Sequence, residues 1–176
     1  IEKDAAINDE IDELRHRATS ALLNYKDVIV VASVSCIYGI GEIEEYRNKM
    51  LTLNVGDEIS RDKVMYKLIE MLYERNNIEL KRGTFRVRGD ILEIVPINQH
   101  GTGFRIEMFG DLIERITEYD LVTGTIVKNK KTISIFPASH FVTSDDKLKI
   151  AIKNIREELD NRLIELQEQN KLLEHQ

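Results

Sequence analysis

The order of hydrophobic and polar positions indicates an α/β fragment at the start of the chain. Residues 9–24 repeat apolar side chains every three or four positions behind Asn8, a good N-cap, which predicts an amphipathic helix. Residues 28–34 form a continuous β-branched run, typical of a strand buried on both faces of a parallel sheet. A loop at 35–41 and a short helix at 42–50 are predicted to follow.

The middle of the chain changes to the two-residue period of half-buried strands. A short strand at 51–55 is followed by Ser60, which is predicted to cap a helix running to about Arg75. Gly89-Asp90 and Gly110-Asp111 separate alternating runs, as two-residue hairpin turns do. A turn at Thr123-Gly124 and a loop at 98–103 join the remaining elements. Strands are predicted at 84–88, 91–96, 104–109, 112–118 and 132–136.

From Ser144 onward the spacing returns to that of a helix. Ser144 or Thr143 is predicted to cap it, and apolar residues recur at three- and four-residue intervals to Leu173. This helix could form a coiled coil or pack on a domain outside the chain. We favour the second interpretation, because the chain has no initiator Met and resembles an excised piece.

The predicted fold class is α+β, with three pieces. Residues 1–48 form the α/β fragment, 49–142 a small module of two antiparallel hairpins and a helix, and 143–176 the long helix.

Composition limits the classes of function. The chain has 176 residues, 42% of them hydrophobic, and a net charge of −6. This charge argues against a protein that binds nucleic acid over its whole surface, although not against a local basic patch. The single cysteine, Cys36, cannot form an internal disulfide, which fits a reducing, cytoplasmic compartment. No apolar run approaches the roughly 20 residues that span a bilayer, so no membrane partner is expected.

Arginines on one side of the predicted strand 84–88 are the strongest candidate for function. Alternation puts Thr84, Arg86 and Arg88 on one face and Phe85 and Val87 on the other. One interpretation is a solvent-exposed sheet face whose charged side chains form salt bridges with one another. The other is a surface that docks an acidic partner, because guanidinium groups bind carboxylates through two hydrogen bonds and are enriched at interfaces.

Two charged residues on a later strand could extend the surface formed by Arg86 and Arg88. Arg105 and Glu107 alternate in the same sense on a later strand and could continue it across the sheet. Reversing one central arginine is expected to leave the fold intact, because Phe85 and Val87 carry the core.

Other candidate chemistry is weaker. Gly39-Ile40-Gly41 has no Lys-Ser/Thr after it, so it is a tight turn rather than a nucleotide-binding loop. Ser33 and Ser35 could touch a DNA backbone, as small hydroxyl residues often do. Cys36 has no partner motif for catalysis and is expected to be a core residue. The histidines are scattered and there is no second cysteine, so no metal site is expected. They are His16, His100, His140 and His175.

Several long segments together resemble the UvrB family of the bacterial UvrABC excision-repair system, over essentially the whole chain. They are IEKDAAINDEIDELRHRATSAL, DVIVVASVSCIYGIG, EEYRNKM, RGTFRVRGDILEIVP, RIEMFGDLIERI, FPASHFVT and DNRLIELQEQNKLLE. The transcription-repair coupling factor resembles the middle module only, and it stays open as an alternative for that module.

The resemblance implies a helicase-like ATPase motor with an inserted domain that binds UvrA. Residues 49–142 would be the inserted domain, and the two flanking pieces would belong to the motor. The resemblance places UvrA contacts at Arg75, Arg86, Arg88, Arg105 and Glu107. It places DNA contacts at Lys3, Arg15, Ser33 and Ser35.

The resemblance also implies what this stretch lacks. The nucleotide-binding loop and later helicase motifs are absent from the sequence, so no cofactor and no catalysis are expected here. ATP, Mg²⁺, damaged DNA and UvrC would be partners of the parent protein. The rival hypothesis is a nucleic-acid-binding fragment whose arginine face holds phosphates directly.

Overall fold

The structure is a computed structural model that describes residues 8–37, 40–141, 145–171 and 173. It divides into two compact units, residues 1–142 and 143–176. The helices are α1 (Asp9–Asn24), a 3-10 turn (Val34–Ile37), α2 (Ile43–Asn48), α3 (Arg61–Glu70) and α4 (Asp145–Glu168). The strands are β1 (Leu51–Asn54), β2 (Glu74–Arg75), β3 (Thr84–Arg88), β4 (Ile91–Val95), β5 (Thr102–Phe109), β6 (Leu112–Asp120), β7 (Ile126–Lys130) and β8 (Thr132–Ile135). The α+β prediction is confirmed.

Helix α1 has the predicted bounds, but a different face of it is buried. The Asn8 side chain accepts hydrogen bonds from the backbone N–H groups of Glu10 and Ile11, which confirms the N-cap. The buried residues are His16 and Ser20. The apolar face predicted from the periodicity is largely exposed in the described part of the chain, with Ile11, Leu14 and Leu22 each more than half exposed.

The prediction of a buried strand at 28–34 is wrong. Residues 28–33 form no strand, and Val34 begins the 3-10 turn. Ile29 and Val31 are 92% and 95% exposed. A β-branched run forms a buried strand only when neighbouring strands pair with it, and no described residue of this chain does so.

A six-stranded sheet is the centre of the described fold, in the order β2-β3-β4-β5-β6-β7. Strands β3 to β7 pair antiparallel with their neighbours, and β2 lies parallel to β3. Both predicted hairpins are confirmed. Gly89 and Gly110 each open a two-residue loop with φ near +60°, a conformation that glycine adopts without strain.

Helix α3 ends earlier than predicted. Ser60 accepts a hydrogen bond from Lys63 N–H, which confirms the cap. The helix stops at Glu70 because Leu72 takes a left-handed conformation with φ of 66°. The N–H groups of Tyr73 and Leu72 then bond to the carbonyls of Leu68 and Ile69, as in a Schellman motif. This C-terminal position usually holds glycine, so the sequence carried no stop signal.

Two strands were not predicted. The two-residue strand β2 is too short for alternation to show. Strand β7 contains the polar run 128–130, Lys-Asn-Lys, at the edge of the sheet. Lysines are common on exposed edges, where they oppose pairing with other chains.

The main core lies between α3 and one face of the sheet. From α3 it includes Val64 and Leu68, and from the sheet Phe85, Leu92 and Ile106, all nearly or fully buried. Strands β1 and β8 pair antiparallel as a separate ribbon that adds Leu51, Leu53, Ile133 and Ile135 to this core. The opposite face of the sheet is therefore free to carry polar groups.

Helix α4 forms the second unit. Its N-cap prediction, Thr143 or Ser144, lies outside the described residues. Apolar residues along it, including Leu148, Ile152, Ile155 and Leu159, are about half exposed. Among the described helices none is long and apolar enough to cross a membrane.

Two of the histidines that were expected to be scattered meet in the first unit. His16 of α1 and His140 stack with ring centroids 3.8 Å apart. Nδ1 of His16 lies 3.1 Å from the hydroxyl of Tyr46 on α2, and Nε2 of His140 lies 3.1 Å from the hydroxyl of Thr19. The stack therefore holds α1, α2 and the segment after β8 together.

This stack predicts a loss of stability in mild acid. Burial, and then the charges of His140, Arg82 and Arg15, lower the pKa of His16 from 6.5 to about 3. Burial also lowers the pKa of His140. Below pH 6.5 the unfolded chain therefore binds more protons than the folded chain, and stability falls with pH. We expect the free energy of unfolding to drop by about 1–2 kcal/mol between pH 7.5 and 5.5.

Urea unfolding at the two pH values measures this drop. His16→Phe keeps an aromatic ring in the stack and should show a smaller drop than the native chain. Tyr66→Phe is the control, because Tyr66 lies exposed on α3 and takes no part in the stack, so its pH dependence should equal that of the native chain. An unchanged drop in His16→Phe would contradict the assignment to His16.

Candidate protein-docking surface

The face of the sheet turned away from α3 carries two rows of charged side chains. The alternation predicted for β3 is confirmed, because Phe85 is fully buried while Arg86 and Arg88 lie on the other face. Strand pairing aligns Arg86 with Glu93 of β4 and Glu93 with Arg105 of β5. We call this polar side of the sheet the arginine face. In a second row, pairing aligns Arg88 with Ile91, Ile91 with Glu107, and Glu107 with Arg115.

Glu93 is the centre of the first row and is only 4% exposed. Its Oε2 accepts a hydrogen bond of 2.5 Å from Nε of Arg86. Its Oε1 accepts bonds of 3.1 and 2.9 Å from Nε and Nη2 of Arg105. One buried carboxylate thus holds two of the predicted contact residues.

Electrostatics at Glu93 favour the ionised carboxylate. Burial by itself raises the pKa of Glu93, but the hydrogen bonds and charges of Arg86 and Arg105 outweigh burial and lower it overall. A carboxyl group that receives bonds from two guanidinium groups stays charged at neutral pH.

Tyr119 of β6 packs into the same row. The guanidinium carbon of Arg105 lies 4.7 Å from the centre of its ring, a cation–π contact. Burial, followed by the charge of Glu93, raises the pKa of Tyr119 to about 12, so its hydroxyl stays protonated. Thr117, the strand partner of Arg105, is fully buried beneath these groups. The first row is therefore a fixed layer rather than a set of freely moving side chains.

The second row is more exposed. Nη2 of Arg115 donates to both carboxylate oxygens of Glu107, at 2.7 and 2.6 Å. Arg105 and Glu107 are thus each paired with a different residue and not with one another. Arg88 is exposed and makes no ion pair or hydrogen bond through its side chain with any described residue.

Arg75 lies apart from the others. It is exposed on the edge strand β2, and its register partner is Phe85, which faces the core. The register therefore directs Arg75 to the side of the sheet opposite Arg86. The structure brings Arg86, Arg88, Arg105 and Glu107 onto one face, whereas Arg75, on the edge strand, is directed to the other side of the sheet.

Three of the four residues predicted to touch DNA are described, and they lie close together. Nε of Arg15 donates to the carbonyl of Cys36 at 3.2 Å. Ser33 and Ser35 are exposed, with their hydroxyl oxygens 2.7 Å apart. Lys3 lies outside the described residues. Arg15, Ser33 and Cys36 border an open groove between α1 and the exposed run at 30–34.

The histidine stack corrects the prediction that the histidines are scattered. Asp12, His16 and His140 place their possible metal-binding atoms within 4.8 Å of one another. The Asp12 carboxylate is bound by Arg82 at 3.1 Å. His16 Nδ1 lies within hydrogen-bond distance of the Tyr46 hydroxyl, and His140 Nε2 of the Thr19 hydroxyl. The contacts present account for all three residues as structural groups.

Sequence reasoning missed Glu93 and Arg115. The signal for Glu93 was a single charge inside the apolar run Ile91–Val95, since a charge in such a run is seldom buried without a partner. Arg115 had no such signal. The Gly110-Asp111 turn alone would place Glu114 opposite Glu107, and a register shift between Glu107 and Met108 brings Arg115 there instead.

Residues 51–141 match the model of the UvrB interaction domain family. This is more than half of the chain and includes the whole six-stranded sheet. The chain belongs to the UvrB interaction domain family. It is also similar, over its full length, to curated proteins named UvrABC system protein B. The identity is 59% to that of Clostridium botulinum (strain Loch Maree / Type A3), 56% to that of Geobacillus kaustophilus and 54% to that of Staphylococcus aureus (strain Mu50).

The chain spans 27% of the length of the first two of these relatives and 26% of the third. Each match covers all 176 residues of this chain and so includes the segments on both sides of the interaction domain.

Proposed function

We propose that this chain is the UvrA-docking part of a UvrB protein and that its own role is binding. The arrangement of the arginine face is the observation that supports this proposal most. Four arginines surround two carboxylates there, and the whole face lies on a rigid sheet. They are Arg86, Arg88, Arg105 and Arg115, with Glu93 and Glu107. Rigid guanidinium groups of this kind suit the carboxylates of a protein partner.

The mixed charge of the face favours a protein over a nucleic acid as its partner. Nucleic-acid affinity comes mainly from unopposed basic groups that release counterions from phosphates. Glu93 and Glu107 oppose that attraction, and the chain as a whole carries a charge of −6. Interspersed charges of both signs fix the register of two proteins more than they add affinity.

Roles outside the arginine face are proposed for the longer protein. ATP, Mg²⁺ and catalysis would belong to parts of UvrB other than this stretch, which would act in the cytoplasm as a docking unit without a cofactor. Damaged DNA and UvrC would be partners of the whole protein. Lys3, Arg15, Ser33 and Ser35 would be its DNA contacts here. Arg15 and Ser33 border the groove beside α1, and the hydroxyl of Ser35 lies 2.7 Å from that of Ser33, which supports this proposal.

Arg88→Glu tests the docking role without disturbing the fold. Arg88 is exposed and has no ion-pair partner among the described residues, so its reversal breaks no internal contact. We expect the affinity for purified UvrA, measured by calorimetry, to fall about 30-fold, or about 2 kcal/mol. Circular dichroism and urea unfolding should match those of the native chain.

Lys63→Glu is the matched control. It makes the same charge change on α3, across the sheet from the arginine face, and should bind UvrA as the native chain does. Arg75→Glu should weaken binding less than Arg88→Glu, since Arg75 lies on the edge strand β2 and is directed to the other side of the sheet. Equal binding by the native chain and Arg88→Glu would refute docking through this face. Absence of binding by the native chain would refute the proposal for the isolated chain.

A further inference from the structure

The buried Glu93 carboxylate is unusual for its place in the fold. It lies on the arginine face, across the sheet from α3, yet it is 4% exposed, while the neighbouring Glu107 is partly open to solvent. Arg86, Arg105 and Tyr119 cover it. A sheet stabilised by its apolar face alone has no need of this group, which points to a role at the surface above it.

The hydrogen bonds to Glu93 leave particular nitrogens free. Arg86 uses only its Nε toward Glu93, so its two terminal nitrogens, Nη1 and Nη2, have no partner in the described chain. Arg105 uses Nε and Nη2, which leaves Nη1. When a guanidinium group is held through its Nε, its two terminal nitrogens remain available to donate two parallel hydrogen bonds to a carboxylate.

We propose that Glu93 is a positioning and specificity residue of the arginine face. It would fix Arg86 and Arg105 so that they receive carboxylates of a protein partner, and its charge would keep phosphate backbones from binding the same arginines. The identity of the protein partner in this inference rests on the proposed docking function. The predicted exclusion of phosphate backbones does not.

The net charge of the arginine face predicts that removal of the Glu93 charge raises the affinity for nucleic acid. With both glutamates the arginine face carries four positive and two negative groups, a net +2. Without the charge of Glu93 the net becomes +3, and two guanidinium groups lose their internal partner and can turn to solvent. Each additional phosphate contact raises nucleic-acid affinity and makes its salt dependence steeper by about one.

A purely structural role for Glu93 predicts a different result. If Glu93 only stabilised the sheet, its loss would lower stability without raising affinity for any ligand. The proposal instead predicts opposite changes for the two ligands, less affinity for a carboxylate-bearing protein and more for duplex DNA. Circular dichroism and urea unfolding of the same variant show whether it is folded, so that a gain in DNA affinity is separated from a folding defect.

Glu93→Gln in the full 176-residue chain tests this inference, since Gln keeps the shape and removes the charge. We expect affinity for UvrA, by calorimetry, to fall about tenfold. We expect affinity for an undamaged duplex of about 30 base pairs, by fluorescence anisotropy at two salt concentrations, to rise several-fold with a steeper salt slope. Glu44→Gln, an equal charge change on α2, should alter neither affinity.

The outcomes separate the two proposals. Unchanged duplex affinity in a folded Glu93→Gln variant overturns the specificity role, and unchanged UvrA affinity overturns the positioning role, while native binding to UvrA leaves the docking function standing. If the native chain does not bind UvrA, the docking function fails, and the duplex titration still decides whether Glu93 excludes phosphates.

Glu93→Asp is the second variant, in case Glu93→Gln does not fold. It keeps the charge but is one methylene too short to hold both arginines. We expect duplex affinity equal to that of the native chain and UvrA affinity a few-fold weaker. Native affinity for UvrA in this variant would overturn the positioning role, and increased duplex affinity would overturn the specificity role.

Discussion

Replacing Arg86 by glutamate is expected to lower the free energy of unfolding by roughly 3 kcal/mol and to abolish measurable docking. The new carboxylate would lie beside the buried Glu93, which accepts its shortest hydrogen bond from Arg86. Removing one partner of a buried ion pair leaves a charge that is neither hydrated nor fully compensated. Arg105 still neutralises part of that charge, which keeps the cost at the lower end of the usual range.

Urea unfolding at pH 7.5 measures this loss, and calorimetry with UvrA measures the docking. The control is Arg88→Glu on the same strand, which should change the free energy of unfolding by less than about 0.5 kcal/mol. The sequence alone predicts that reversing a central arginine leaves the fold intact. That expectation still holds for Arg88, whereas the contact with Glu93 reverses it for Arg86. Equal stability of the two variants would show that Glu93 finds other partners when Arg86 is lost.

Local signals made most of the middle module predictable. The turn residues Gly89-Asp90 and Gly110-Asp111 set the hairpins, and strict alternation between them set which residues face the core. These signals depend on a few neighbouring residues and on no distant contact. The same alternation is enough to predict that the charged residues of β3 and β5 share one face of the sheet.

Features that depend on distant contacts were not predictable in the same way. The run at 28–34 has the composition of a buried strand, but composition does not supply the strands that must pair with it. The end of α3 was missed because Leu72 occupies the left-handed position that glycine usually holds, so no glycine marks the end of the helix in the sequence. The burial of Tyr73, the next residue, in the core offsets the cost of that conformation.

In the candidate site, too, local patterns were predictable and contacts between distant residues were not. Arginines were found as a charge pattern along one strand, whereas their arrangement depends on Glu93 from the next strand and Arg115 from the second hairpin. A pattern of like charges therefore identified the surface. The buried counter-charge, which determines how that surface can bind, required the register of three strands.

Tyr73→Phe is expected to lower the free energy of unfolding by about 2–4 kcal/mol, although it removes a single oxygen atom. Tyr73 is 3% exposed, and burial raises the pKa of its hydroxyl, which therefore stays protonated. The hydroxyl donates a hydrogen bond of 2.9 Å to the carbonyl of Phe136 and accepts one of 3.2 Å from the N–H of Ile97. Phenylalanine would leave both buried backbone groups without their partner.

These two bonds join segments that are distant in sequence. Ile97 follows β4, and Phe136 follows β8, where the chain leaves the ribbon of β1 and β8. Tyr73 itself stands between α3 and the edge strand that carries Arg75. The variant should therefore increase amide hydrogen exchange at Ile97 as well as lower the urea midpoint. Tyr66→Phe is the control, because Tyr66 lies exposed on α3 and should change neither quantity. A loss below about 0.5 kcal/mol in Tyr73→Phe would mean that relaxation or water satisfies both groups, and that the hydroxyl does not hold these segments together.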